Sequence, residues 1–391
     1  MNNIEEKIKN AVESGRPVFI WGTRSWGCTL GVWFDENQLL FQGYVDNNKK
    51  KHGETIWGNH KCISPEEIPE GSLVIITATD TKINRDIEKQ VVQTCRGVEC
   101  IANCIEELSR LAEPLDDEKV IRAIYEGHMR CKPDLEHPKN LNEKLNWLKL
   151  HDRKPLYTRM VDKLEAKEMV AEKLGREFVI PTYGVWDSFD EIDFDSLPRQ
   201  FVLKCTHDSG SAVVIEDKNN MDREAVKKKL EACLKLNFFC QAREWPYKNV
   251  KRRIIAEKYI DTLGKKDSIE YKITCFNGKA DFITICTGIA HDAYEKRTND
   301  SYDLDFHHMP WYASYKNSTK KLEQPKQWQD LIAFAELFAK DIPYLRVDCY
   351  LIDDRIVFGE FTFYTWAGWI DFTPEEWNGI LGERCSLENL K

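Results

Sequence analysis

The sequence has no apolar run approaching the roughly 20 residues that a membrane-crossing helix needs. Its longest strongly apolar runs, such as Leu73 to Ala78, are far shorter, and no membrane span is predicted. It has no basic start followed by an apolar stretch of about 7–15 residues. The opening MNNIEEKIKN mixes acids with lysines, so secretion is not indicated and the cytoplasm is the expected location. It has no excess of positive charge: 56 Lys and Arg against 65 Asp and Glu leave a formal charge of -9, with no long block of one sign. That argues against a protein built to grip a nucleic-acid backbone. It has no C-x-x-C pair. Its 13 cysteines are scattered from Cys28 to Cys385, and Cys95, Cys100 and Cys104 lack the close pairing and fourth ligand of a zinc site. Most are read as small buried hydrophobes of a reduced protein. Internal repeats and low-complexity tracts are absent too.

What remains is a soluble globular composition. At roughly 100–200 residues per domain, the 391 residues predict two or three domains, and 42% hydrophobic with 31% charged residues excludes wholesale disorder. The outlying number is 12 tryptophans.

The first hundred or so residues alternate strand and helix. The apolar run Pro17 to Trp21 ends at Gly22, a helix follows, Leu39 to Val45 is a second strand closed by Asp46, and Ser72 to Ala78 is a third. Strand, glycine turn, helix and strand predict a parallel, doubly wound, Rossmann-like sheet over residues 1–112. Gly22 and Gly27 do not complete G-x-G-x-x-G. Either the turn presents amides to a phosphate, with Asp46 placed for a ribose hydroxyl, or Gly22 merely makes the turn. The glycine turn and GYVDNN resemble the nucleotide-sugar-binding domains of some bacterial sugar-modifying enzymes. The acidic, proline-containing segment Glu113 to Asp117 marks the expected boundary, followed by a helical lead-in over 113–160.

The second half carries the chemistry. Asp162-Lys163 opens a helix that stops at Gly175, a residue free to take the left-handed cap conformation. Lys204 sits near the end of an apolar strand, either as an edge residue or as a cation aimed at an anion. The loop after it, Thr206 to Ser211, favours the second reading, because Ser209, Gly210, Ser211 and backbone amides beside a lysine suit a polyphosphate. His207 in that loop could donate to a phosphate oxygen. Glu257 interrupts the apolar strand Ile254 to Ile260, which costs desolvation unless it has a partner: a base amino group or a structural lysine. Finally, Leu345 to Ile352 and Ile356 to Thr362 form adjacent strands that bring Asp348 and Glu360 close enough to share a hard cation, with Arg346 on the same face. A salt-bridge ladder is the bland alternative, disfavoured by the apolar flanks.

This order of elements is similar to the ATP-grasp pattern. More narrowly, KPDLEHPKNLNEKLNWLKLHDRKPLY, VDKLEAKEMVAEKLG, LPRQFVLKCTHDSGS, RIIAEKYI, YKITCFNGK and RVDCYLIDDRIVFGEFTFY resemble the TupA-like ATP-grasp family, found among bacterial teichuronopeptide, capsule and surface-polysaccharide genes. The resemblance runs from about Lys119 to the C-terminus and implies two α+β lobes over 161–391 that grip ATP. By position it gives Lys163 and Lys204 the ATP phosphates and puts Ser209 to Ser211 in a mobile loop above them. Glu257 would face the adenine amino group, with the backbone of Lys258, Tyr259 and Ile260 lining the base. Asp348 and Glu360 would hold Mg2+, and Arg346 would contact the transferring phosphoryl group. Lys272, within YKITCFNGK, has a plausible anionic-ligand role. Thr362 stands where most ATP-grasp enzymes have a metal-binding Asn. The implied activity is carboxylate–amine ligation through an acyl-phosphate, on a uronic acid of a surface glycan or a nucleotide-sugar precursor. A sugar kinase is one alternative. A metal-dependent glycosyltransferase, suggested by Asp303-Leu-Asp305, is another, and a nucleotide-sensing module without turnover is a third. Trp366 and Trp369, just after the metal strand, could pack on a sugar ring or in the core. No oligomeric state follows from the sequence.

Overall fold

The computed structural model describes residues 4–264, 268–288 and 297–390. The chain divides into two compact units, one of residues 1–133 with 235–244, the other of 134–234 with 245–391. In the first, α1 (Ile4–Glu13) leads into β1 (Val18–Trp21), α2 (Ser25–Glu36), β2 (Gly43–Val45), β3 (Thr55–Trp57), β4 (His60–Ile63), β5 (Leu73–Ile76), α3 (Thr81–Thr94) and β6 (Glu99–Ile101). Every residue of β1 and β5 is buried, as expected of central strands covered on both faces. The sheet order is β3-β4-β2-β1-β5-β6, parallel from β4 to β6 with β3 as an antiparallel edge.

Gly22 ends β1 at φ 122°. A Cβ there would lie 2.4 Å from Thr77 Oγ1, and one on Gly27 would lie 1.9 Å from the Gly22 carbonyl oxygen. These glycines let α2 press onto the strand end. The Asp46 carboxylate accepts from Thr23 Oγ1 and Lys51 Nζ, each at 2.8 Å, and from the Asn48 amide at 2.9 Å. The Asp46 oxygens are held by the chain itself, and the packing around Gly22 fits its turn-making role.

The first unit continues through α4 (Ile105–Ala112) and α5 (Asp117–Met129), both packed on α2. The boundary expected at 112/113 therefore falls inside this unit, and the break comes after Pro133. The acidic segment is a helix–helix turn in which Asp116 caps α5, accepting from the Lys119 amide at 2.8 Å.

In the second unit, α6 (Leu141–His151), α7 (Pro155–Val161) and α8 (Lys163–Leu174) precede β7 (Thr182–Trp186), β8 (Phe201–Cys205), β9 (Val213–Ile215), α9 (Arg223–Lys235) and, after an excursion, β10 (Ile254–Lys258). These strands form a sheet ordered β7-β10-β8-β9. The excursion holds α10 (Phe239–Ala242), which packs with the first unit. There the fully buried Arg243 donates to the carbonyls of Ala112 at 2.5 Å and Leu115 at 3.4 Å. A second, antiparallel sheet ordered β13-β12-β11-β15-β16 is built from β11 (Ile269–Phe276), β12 (Lys279–Thr287), β13 (Thr298–Asp303), β15 (Tyr344–Ile352) and β16 (Arg355–Thr362). The ribbon of β14 (Tyr312–Ala313) and β17 (Phe372–Thr373) and the helices α11 (Trp328–Ala339) and α12 (Trp377–Arg384) complete the unit. Ile273, Ile283, Val347 and Phe361 of this sheet share the largest core with Phe334 and Phe338 of α11. The alternate residues are polar and face the other way.

Candidate active site

Strand register assembles that polar face. Asp348 pairs across the ladder with Lys272 on one side and Glu360 on the other, and Arg346 pairs with Thr274 and Thr362. Arg346 grips the fully buried Asp348 with two parallel bonds, Nε to Oδ1 and Nη2 to Oδ2, both 2.7 Å. This planar, two-point geometry is one that lysine cannot supply. Lys272 Nζ donates to Asp348 Oδ2 at 2.5 Å and lies 2.7 Å from Glu270 Oε2, while the Tyr350 hydroxyl donates to Glu270 Oε1 at 3.2 Å. Burial alone would raise the Asp348 carboxyl, but Arg346 and Lys272 outweigh it and hold Asp348 below the usual carboxylate range. Burial would likewise lower the Lys272 ammonium, and Asp348 and Glu270 reverse that, leaving it above its ordinary value. Glu270, buried beside these acids, is pushed up. The Glu360 side chain is 46% exposed, with Oε1 3.5 Å from Thr362 Oγ1 and 3.6 Å from Arg346 Nη2.

A second cluster lies on α8 and the smaller sheet. Asp162 caps α8, accepting from the Leu164 and Glu165 amides, and is itself held by Arg253 Nη2 at 2.8 Å. The cap sets Lys163 in the first turn, where its amide donates to the Thr206 carbonyl at 3.0 Å and its ammonium to the Asp208 carbonyl. Lys163 thus meets the loop 206–211 twice. Burial pulls its ammonium below the ordinary lysine range. Glu360 is among the charges acting on Lys163, and both line a small cavity with Met160, Ala166 and Phe358.

The buried Glu257 carboxylate sits between two lysines, Lys204 Nζ at 2.6 Å and Lys167 Nζ at 2.8 Å, the latter also donating to Thr182 Oγ1 at 2.6 Å. Burial would raise this carboxyl, and the two ammonium groups outweigh it, so its pKa lies below the usual range. Of the two partners the sequence allows for Glu257, the structure shows the lysine.

The loop residues separate into two groups. Ser209 and Gly210 are exposed, and Gly210, at φ 105°, would have no atom within 4 Å of an added Cβ. Ser211 and His207 are turned inward instead. Ser211 Oγ accepts from the Cys205 amide at 2.8 Å and donates to Asp208 Oδ1 at 2.6 Å. His207 Nε2 lies 3.2 Å from the Cys233 carbonyl of α9, and burial lowers its pKa. Ser211 thus braces the loop through both of its bonds, while His207 does so through Nε2 and leaves Nδ1 buried without a partner. Lys258 is exposed and its amide bonds to the Pro181 carbonyl at 2.9 Å; Tyr259 and Ile260 are half-buried. Thr362 Oγ1 accepts from Arg346 Nη2 at 3.0 Å, orienting the guanidinium. Asp303 of the D-x-D pair closes the turn after β13, its Oδ1 accepting from the Asp305 and His307 amides at 3.0 and 2.8 Å.

Sequence reasoning missed Lys167 and Glu270. Lys167 follows Lys163 by four residues, on the same helix face, and Glu270 precedes Lys272 by two, on the same strand face. Both signals were present as spacing.

The TupA-like ATP-grasp family profile matches residues 143–386, more than half of the chain. The chain belongs to this family. Among solved structures, this TupA-like chain is similar to D-alanine–D-alanine ligase from Bacillus anthracis complexed with ATP (13% identity, 88% of this chain and 84% of that one, TM-score 0.32). It is also similar to the D-cycloserine synthetase DcsG (12%, 94% and 100%, 0.32) and to a RimK domain ATP-grasp protein from Sphaerobacter thermophilus (10%, 95% and 99%, 0.32). No curated protein matches the sequence. No helix among the described residues is long and apolar enough to cross a membrane.

Proposed function

We propose that this TupA-like ligase activates the carboxylate of an acidic sugar, a uronic acid of a surface glycan or of its nucleotide-linked precursor, and couples it to an amine in the cytoplasm. The observation that carries the chemistry is the row Lys272, Asp348, Arg346 and Glu360, two cations and two acids fixed by register on one sheet face. The occurrence of the family among bacterial surface-polysaccharide genes supports the acidic sugar.

A carboxylate oxygen attacks the γ-phosphorus of ATP, the bond to the β,γ-bridging oxygen breaks, and ADP leaves. The amine nitrogen then attacks the acyl carbon, the bond to phosphate breaks, and an amide forms with release of a proton. Little covalent work falls to the protein; placement and charge compensation supply the rate. Arg346, its fork fixed on Asp348, turns its remaining Nη1 edge to the phosphoryl oxygens, and Lys272 holds the incoming carboxylate. Lys163 and Lys204 take the ATP phosphates, beneath the amides of Ser209 and Gly210. The segment Glu257 to Ile260 lines the base. Lys204 is the more exposed of the two lysines on Glu257, 20% against 7% for Lys167. Lys204 therefore turns to a phosphate while Lys167 keeps Glu257 paired.

The donor set fits magnesium. Glu360 is a half-exposed carboxylate with long contacts and suits Mg2+, which takes one or two carboxylates together with phosphate oxygens and water. Asp348 across the ladder has both oxygens held by Arg346 and Lys272, so it would join the ion only by exchanging one of these partners. Among the described residues no group of three His, Cys, Asp or Glu could hold a metal ion by itself. When bound, Mg2+ supplies neutralising charge to the phosphate oxygens. Glu360 and Asp348 would hold it, and Thr362 orients Arg346 beside it.

Product analysis tests this reading, using ATP, Mg2+, a panel of uronic acids and nucleotide-linked uronates, and amines. The expected result is amide, ADP and phosphate in equal amounts. A stable phosphorylated sugar with no need for amine would establish a kinase instead, and phosphate release indifferent to both co-substrates would overturn the ligase reading.

A further inference from the structure

The segment after β16 is held in an unusual backbone conformation. Trp366, Ala367 and Gly368 lie consecutively in the left-handed region, at φ 50°, 52° and 76°. Only the glycine adopts this without steric cost. Three fully buried polar side chains of α6, spaced i, i+4 and i+7 on one helix face, hold the segment there. Asn146 Nδ2 donates to the Gly368 carbonyl and Lys149 Nζ to the Ala367 carbonyl, both at 2.7 Å. Asn142 bonds both polar groups of the Ile370 backbone, at 2.9 and 2.8 Å.

This arrangement separates the two tryptophans. Trp369 receives the Lys149 ammonium 3.9 Å from its ring centroid, a packing role. Trp366 is turned outward, 42% exposed, the only exposed tryptophan among the described residues. Its ring meets Tyr315 at 5.9 Å, and Arg297 Nη1 reaches the Tyr315 hydroxyl at 3.4 Å. On the other flank, Thr365 Oγ1 accepts from Arg346 Nη1 at 3.2 Å and bonds the Tyr344 hydroxyl at 2.6 Å. An aromatic pair, Trp366 exposed and Tyr315 half-buried, thus begins one residue from a threonine that contacts the guanidinium of the proposed phosphoryl-transfer site.

We infer that Trp366 and Tyr315 form the acceptor platform, on which the pyranose ring of a carboxylate-bearing sugar stacks so that its carboxylate reaches Arg346 and Lys272. The axial C–H groups of a pyranose carry partial positive charge and suit the negative π-face of an aromatic ring. The cations on either side suit an acidic sugar over a neutral one. The left-handed run, fixed from beneath by α6, gives the exposed ring one orientation, as a stacking surface requires. The inference rests on the ligase reading for the direction of the carboxylate, but stacking itself is separable from it.

The test uses the full chain and glucuronic acid oligosaccharides, by calorimetric titration without ATP and by steady-state kinetics with it. Trp366→Ala is expected to weaken oligosaccharide binding at least tenfold and to raise KM for the saccharide with KM for ATP unchanged. Trp366→Phe should restore most of the loss, and Tyr315→Leu provides a second variant should Trp366→Ala lose the native melting transition. Oligosaccharide affinity unchanged in Trp366→Ala and Tyr315→Leu, or no saccharide binding by the unmodified protein while it ligates a non-sugar carboxylate, overturns the platform and leaves the ligase standing. Intact, Trp366-dependent saccharide binding without ligation sustains the platform and strikes the ligase reading alone.

Discussion

Each unit of this chain ends a buried strand near a glycine and places acids and cations close by, yet the two sites differ in what surrounds those residues. In the first unit Gly22 and Gly27, at the end of β1 and in α2, are demanded by packing. A Cβ on Gly27 would sit 1.9 Å from a carbonyl oxygen, and Asp46 is satisfied by Thr23, Lys51 and a backbone amide. In the second unit Gly210 faces open space, and the acid–cation groups run on from Glu257, Lys167 and Lys204 to Asp348, Arg346 and Lys272. The first pattern is architecture, and the second is the one on which the proposed ATP site is built.

The contrast breaks most readily at Arg346. Arg346→Lys keeps the charge and loses the fork, so ATP-dependent turnover should fall about 100- to 1000-fold, measured where melting curves show the variant still folded, since the buried Asp348 loses its paired bonds as well. An unchanged rate would remove Arg346 from the chemistry. The reverse signature belongs to Gly27→Ala. Because backbone must move to admit the methyl group, unfolding titrations should show a loss of about 3 kcal/mol. Gly210→Ala, limited to the cost of a left-handed alanine, should lose about 1 kcal/mol. Equal losses at the two glycines would erase the distinction.

Much of this was legible in sequence because it depends on local pattern. The strand Phe201–Cys205 and the helix Leu141–His151 follow from apolar spacing, and Arg346 and Asp348 share a face by strand alternation alone. The second strand was overextended. Leu39 to Gln42 look apolar enough to continue it, but Leu40 is 74% exposed and Gln42 instead bonds Val18, through its amide and through its side chain. The roles of His207 and Ser211 could not be read, since a polar side chain in a short loop turns inward or outward according to what lies behind it, here the α9 carbonyl of Cys233 and the Cys205 amide. Glu257 shows the limit most clearly. Its need for a partner was evident from desolvation, but its two partners lie 53 and 90 positions away, and only the folded chain brings them to it.

Lys167 offers a finer test. If Lys167 releases Lys204 for phosphate by holding Glu257, then Lys167→Met should leave Lys204 committed to the carboxylate. KM for ATP should rise about tenfold, near 1.4 kcal/mol, with a smaller effect on kcat. A loss confined to kcat would place Lys167 in the reaction itself.

The smallest expected effect lies in the first unit. Burial would raise the Asp46 carboxyl, but the bonds from Lys51, the Asn48 amide and Thr23 outweigh it, so its folded-state pKa lies below its unfolded value. Such a group contributes stability in full above the unfolded value, near 3.9 for Asp, and loses it as pH falls through the lower, folded value. The pair is partly exposed and screened by solvent, so Asp46→Asn should cost no more than about 1 kcal/mol at pH 7. That deficit against the unmodified protein should vanish in acid, where Asp46 is protonated in both states, and ATP turnover should not change. Melting curves from neutral to acid pH, with and without a nucleotide sugar, measure both points. If the nucleotide sugar stabilised the unmodified protein but not Asp46→Asn, the Asp46 carboxylate would be a ligand contact after all, and the first unit would join the second as a binding site.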